Sequence, residues 1–162
     1  MTTTASAQGL CPCKSQRSYS DCCAPYLSGE AHAPTAEELM RSRFTAFCKG
    51  NVDYLIATHH SSKRKFDDRL RLRQTLKNTR WINLIIVSKH QGRSQDKTGT
   101  VEFVAVYRDP QPGQLHERSS FIKQTDRWFY LDGKLLPDWE PKRHEACWCN
   151  SGKKFKQCHG KK

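Results

Sequence analysis

Apolar positions recur every three to four residues in the first half of the chain and every second residue later, and the change falls at Trp81. Pro34-Thr35-Ala36-Glu37-Glu38 opens a helix, because Thr35 can cap it and Glu38, three residues on, completes a capping box. Leu39, Met40, Phe44, Phe47 and Cys48 follow at helical spacing, and Gly50 ends the segment. On that face Cys48 is expected to be a buried core thiol. Asn51 caps a second, shorter helix carrying Val52, Leu55 and Ile56 and running to about His59. A third helical stretch is expected between Asp67 and Asn78, where Leu72 and Leu76 share a face with Arg69.

From Trp81 onward, Ile82, Leu84 and Ile86 alternate with Asn83, Ile85 and Val87, which predicts a strand with both faces partly covered. Gly92 to Gly99 reads as a polar loop, Thr100 to Arg108 as a second strand, and Asp109-Pro-Gln-Pro-Gly113 as a turn. Leu115 to Gln124 and Arg127 to Asp132 are two further strands joined tightly around Thr125-Asp126. Helices first and antiparallel strands after them predict an α+β fold, with a curved sheet wrapped over the helices.

The length of 162 residues suits one ordinary domain with small appendages. The longest apolar block, Phe103 to Tyr107, is far too short to span a membrane. Met1 to Leu10 lack the basic start and apolar stretch of a secretory signal, so a cytoplasmic protein is expected. The net charge of +12 is confined to two blocks. Residues 63–80 hold eight Lys or Arg against two Asp, and residues 141–162 hold seven against one Glu. Such blocks favour acidic partners, or simply keep the protein soluble.

The eight cysteines change the picture most. Cys11 and Cys13 are followed, after eight residues, by Cys22 and Cys23; Cys147 and Cys149 are followed, after eight residues, by Cys158 and His159. The same frame thus occurs twice, and Ser15 matches Ser151, Arg17 matches Lys153 and Tyr19 matches Phe155. Four thiolates, or three with an imidazole, are standard sets for structural zinc. A piece of about 15 residues buries too little to fold alone, so metal would supply most of its folding energy. All four positions in each set are filled, leaving no place for a catalytic water. Two structural zinc sites are expected, in preference to free thiols or a strained Cys22–Cys23 disulfide.

The segment Cys147-Trp-Cys-Asn-Ser-Gly-Lys-Lys-Phe-Lys-Gln-Cys158-His159-Gly160 resembles the SEC-C motif, the zinc module at the C-terminus of the SecA translocation ATPase. It departs at Trp148, where proline is usual, and at Asn150, where glycine is usual. In the N-terminal copy Lys14 and Gln16 stand where the motif prefers glycine, which carries a strain cost if either needs φ > 0. The run of Arg41-Ser-Arg-Phe-Thr-Ala-Phe47, Gly99-Thr-Val-Glu-Phe-Val-Ala-Val-Tyr107, Leu115-His-Glu-Arg-Ser-Ser-Phe121 and Arg127-Trp-Phe-Tyr-Leu-Asp-Gly133 is similar to the YchJ-like family. That resemblance covers residues 11–160 and implies a cone-shaped, nuclear-transport-factor-like domain between two SEC-C motifs. The expected divisions are residues 9–26, 34–141 and 145–162.

A cone of this kind can hold a pocket. The acid–base candidates are Glu102, His116 and Glu117 on strands, with Asp53, His59 and His60 on or after the second helix. Periodicity leaves open which carboxylate faces the cone, and a cross-strand ion pair is the plainer reading. His59 and His60 are most simply partners of a helix C-terminus. Neither a phosphate loop nor a nucleophile elbow is present. The expectation is therefore a zinc-containing adaptor rather than an enzyme. Its C-terminal module would present Lys153, Lys154, Lys156, Lys161 and Lys162 with Phe155 to an acidic protein, as the SecA resemblance implies for SecB, or to ribosomal RNA.

Overall fold

The computed structural model describes residues 9–161. Four helices precede a four-stranded sheet: α1 Ala24–Ser28, α2 Ala36–Lys49, α3 Val52–Ala57, α4 Asp68–Asn78, β1 Arg80–Gln91, β2 Thr98–Asp109, β3 Gln111–Gln124 and β4 Arg127–Leu135. The sheet is an antiparallel meander in chain order.

The caps form as the residue types dictate. Thr35 Oγ1 accepts from the Glu38 amide at 3.1 Å and donates to the Glu38 carboxylate at 2.9 Å. Gly50 ends α2 with φ of 71°, and Asn51 Oδ1 accepts from the Tyr54 amide at 3.0 Å to start α3. Thr125 and Asp126 both have positive φ and make the two-residue turn of the β3–β4 hairpin.

The sheet buries both faces, each against a different part of the chain. Leu39, Met40 and Phe44 of α2 pack on Leu84, Val101, Phe103, Ala105, Phe121 and Trp128, and this is the main core. On the other face Val104 and Val106, with Ile82, Ile85 and Val87 beside them, meet Cys147, Trp148, Cys149 and Phe155 of the C-terminal module. The expectation that both faces of β1 are partly covered is met by this double cover. A register shift between Trp81 and Asn83 corrects one detail. Ile82 was expected on the face of Leu84 and Ile86, and the bulge turns it to the opposite one.

Two further expectations are corrected. Cys48 is exposed at the last turn of α2, not buried in the core. The turn expected over Asp109–Gly113 shrinks to a reversal at Pro110, because Asp109 already pairs with Gln111 and Tyr107 with Gly113. Pro112 is tolerated there because β4 pairs with β3 only from Glu117 onward, so that side of the strand is an edge. The expected third helix forms, but none of its residues is buried, and Leu72 and Leu76 are only half-covered.

Candidate functional site: metal centres and cavity

The two cysteine frames fold into the same local structure. Cys11 N donates to Arg17 O and Cys147 N to Lys153 O, both at 2.8 Å. Isolated bridges join Leu10 to Ser18 and Ala146 to Lys154. Lys14 and Asn150 have φ of 62° and 63°, and Gln16 and Gly152 have φ of 67° and 77°. Both glycine-preferring positions of the N-terminal copy therefore carry left-handed strain. Gln16→Gly is expected to raise the melting midpoint by roughly 1–4 °C, and Gly152→Gln to lower it by a similar amount, read by differential scanning calorimetry.

In each module the donor atoms lie within 4.8 Å of one another. Sulfur–sulfur separations are 3.6 Å for Cys13–Cys22 and 3.8 Å for Cys22–Cys23. The C-terminal set has 3.6 Å for Cys149–Cys158, with His159 Nδ1 at 3.3 Å from Cys147 Sγ and 3.4 Å from Cys158 Sγ. A tetrahedral ion with bonds of about 2.3 Å to sulfur and about 2.0 Å to nitrogen needs edges of roughly 3.5–3.8 Å. The donors thus sit close to where such an ion would hold them.

Thiol chemistry points the same way. Hydrogen bonds from Cys11 and then Cys23 hold the Cys13 thiol far below its ordinary range, while the reciprocal contacts push Cys23 far above it. Burial pushes Cys22 up to about 11. Four thiols this close cannot all ionise unaided, and a central cation removes the conflict. A serine supports each site from outside, with Ser15 Oγ 3.1 Å and Ser151 Oγ 3.5 Å from the Sγ of Cys22 and Cys158. All four N-terminal ligands are buried, whereas Cys158 is half-buried and His159 exposed.

Neither module hangs free. Arg41 of α2 donates to Cys13 O at 2.8 Å, Cys11 Sγ lies 3.7 Å from Thr45 Oγ1, and Lys49 sits over the Tyr19 ring. At the other end Phe155 is 8% exposed against the sheet. It was expected beside the lysines as a docking side chain, and the fold instead uses it to seat the module. Lys153, Lys154 and Lys161 are exposed, Lys156 is half-buried, and Lys162 lies outside the described residues.

The acid–base candidates separate cleanly. Glu102 pairs across β2–β3 with Arg118 at 2.7 Å and with His116 at 3.0 Å. The Arg118 guanidinium, chiefly, holds its carboxyl below the usual range, so it is a structural ion pair. Asp53 is exposed and bonds Arg69. His60 caps the turn Ser61–Lys63, not the end of α3, whose Ala57 carbonyl is taken by Arg64 at 3.2 Å.

Glu117 and His59 do face a common space: a cavity of about 400 Å³ between α2, α4 and the inner face of the sheet. Ser119 Oγ donates to Glu117 Oε1 at 2.7 Å and Tyr130 Oη at 3.4 Å. Gly133 makes room for this carboxylate, since any Cβ there would collide with it. His59 lies 3.7 Å from Asp68 and against the Tyr130 ring, and burial followed by Arg43 lowers its pKa. Arg43 was missed at sequence level. It stands inside the apolar stripe of α2, one position before Phe44, and that misfit was the available signal.

Helices on a four-stranded meander with two cysteine modules define the class: an NTF2-like α+β domain that carries SEC-C-type modules and two donor clusters able to hold metal ions. Residues 35–133 match the family described as "YchJ, middle NTF2-like domain", and residues 145–161 match the SEC-C motif. The chain belongs to the YchJ-like family. It is 43% identical over 155 residues to a UPF0225 protein of Serratia proteamaculans, covering 94% of this chain and 98% of the relative. An Enterobacter UPF0225 protein is 45% identical over 152 residues, with 93% and 97% covered. Among solved structures, a SEC-C motif protein from Rhodopseudomonas palustris has a TM-score of 0.72 at 31% identity, covering 78% of this chain and 98% of that one. Another from Psychrobacter arcticus has a TM-score of 0.66 at 29% identity, covering 93% and 94%. No helix among the described residues is long and apolar enough to cross a membrane.

Proposed function

We propose that this protein is a cytoplasmic zinc-containing binding protein, whose C-terminal module docks on an acidic protein surface of the SecB type. Zinc is the metal because thiolate-rich sets with closed tetrahedral geometry suit it, and because four protein donors leave no position for catalysis. The observation that carries the docking reading is the division of side chains on the C-terminal module. Its apolar groups, Trp148 and Phe155, are buried against the sheet, while Lys153 and Lys154 project from a backbone held by the ligand set. What remains for a partner is charge on a rigid frame.

Burial of Phe155 also favours an acidic protein over RNA, since single-stranded RNA binding draws on aromatic faces that accept stacked bases. Such a surface works through steering, so its affinity falls with salt. The test is a fluorescence-anisotropy titration of the full chain with purified SecB at about 50 and 200 mM salt, beside co-sedimentation with ribosomes. The double variant Lys153→Glu/Lys154→Glu is expected to weaken SecB binding at least about tenfold while its circular dichroism and metal content stay unchanged. Unchanged affinity, or ribosome binding without SecB binding, would reject the reading.

A further inference from the structure

The basic block of residues 63–80 takes no part in the lysine surface of the C-terminal module, and most of it belongs to a helix that builds no core. α4 holds no buried residue. Some of its cations are taken up within the fold, Arg69 by Asp53 and Arg71 by Asp67, both at 2.6 Å. Arg73, Lys77 and Arg80 are exposed and make no side-chain hydrogen bond or ion pair among the described residues.

Folding brings further cations to them. β1 and β2 pair with Arg80 directly opposite Arg108, which is likewise exposed and has no acidic partner among the described residues. Like charges directly opposite on neighbouring strands destabilise a sheet. Lys49, at the end of α2, and Lys77 stand beside this pair. All four line one shallow groove of about 570 Å³, with no Asp or Glu among the described residues of its walls. Past Gly50 and Leu76 the groove continues into a second, of about 500 Å³, lined by Arg69 and Arg73. The carboxylate found there is Asp53, already bonded to Arg69.

Shape and composition choose the anion. Residues 69, 73 and 77 are four apart, so their side chains follow one another about every 6 Å along α4. The cations thus form a long, narrow track in a hollow, which suits the backbone of a strand and not the flat face of a bilayer. Arginine forms paired hydrogen bonds with phosphate oxygens. One turn before Arg69, Phe66 is fully exposed, with Leu70 exposed one turn further on. A bare aromatic ring beside cations is what a stacked base uses. We infer that this groove binds a single-stranded nucleic acid, with its phosphates on Arg73, Lys77, Arg80 and Arg108 and a base on Phe66. The site is separate from the C-terminal lysine surface, and either reading can fail without the other.

The test is fluorescence anisotropy of a labelled oligouridylate of about twelve nucleotides with metal-loaded, full-length protein over a range of salt. Four neutralised phosphates predict a slope of log affinity against log salt of about −3. Arg80→Gln/Arg108→Gln is expected to weaken binding at least about tenfold and to flatten the slope by about 1.4. Freed of the cross-strand repulsion, that variant should melt no lower than the unmodified protein. Should it melt lower, Arg73→Gln/Lys77→Gln decides with the same expected loss, since α4 holds no buried residue. Lys153→Gln/Lys154→Gln removes equal charge elsewhere and should weaken binding less than about threefold. Phe66→Ala should weaken it about fivefold or more and leave the slope unchanged. No binding of the oligouridylate, equal losses from the groove and C-terminal double variants, or no effect of Phe66→Ala would each overturn the inference. So would tighter binding of poly-L-glutamate or of phosphatidylserine vesicles.

Discussion

Cys13→Ser should carry one metal ion per chain where the intact protein should carry two, and should melt about 10 °C lower. Cys13 is fully buried, its sulfur is 3.6 Å from Cys22 Sγ, and its carbonyl is held by Arg41. A serine there is neutral and hard, so the set loses a thiolate and the cation its closed shell. Because a segment of this size folds by virtue of its metal, losing the ion loosens the module. The damage then spreads to α2, whose Thr45 touches Cys11 and is fully buried. A loss of roughly 3–5 kcal/mol corresponds to that drop in midpoint for a chain of this size. Native mass spectrometry gives the stoichiometry and calorimetry the midpoint. A chelator should also remove the C-terminal ion first, since Cys158 is half-buried and His159 exposed while all four N-terminal ligands are buried. Finding two ions in the variant, or none in the unmodified protein, would contradict the metal assignment.

Phe155→Ala is the second large effect, and it separates a structural from a recognition role for this side chain. Phe155 lies with Val104 and Val106 in the cluster that covers the outer face of the sheet, and Gly160 fits against its ring. Emptying that site should cost about 3–5 kcal/mol and lower the midpoint by about 10 °C. Uncovering Ile82, Ile85 and Val87 should also make the protein self-associate, visible by light scattering. Lys154→Ala, at the preceding residue and on the exposed side, should stay within about 0.5 kcal/mol. A Phe155→Ala protein that melts normally but no longer binds its partner would place this ring at an interface instead.

Much of the molecule can be read in one dimension because the deciding physics is local. Thr35, Gly50 and Asn51 announce helix ends through bonds to residues three or four away. The hairpin at Thr125-Asp126 needs only two residues, and the cysteine frames need only about 15. Where reading failed, the cause lay at long range. Cys48 has helical spacing with Phe44, but it lies in the last turn of α2, where Phe47 is only half-covered and Cys48, Lys49 and Gly50 are all exposed. Ile82 is displaced by a bulge that no alternation pattern records. His60 answers to Ser62 and Gln124, the latter on a strand 64 residues away.

The chain by itself determined the helix caps, the order of helices and strands, and two sets of four soft donors, since each depends on neighbours within a few turns. Only the tertiary structure decided that both modules are seated on the middle domain, that Phe155 is interior, and that Glu117 and Arg43 share a cavity while Glu102 does not. Those outcomes depend on which side of a bent sheet a residue reaches, and that is set by packing between segments far apart in the chain.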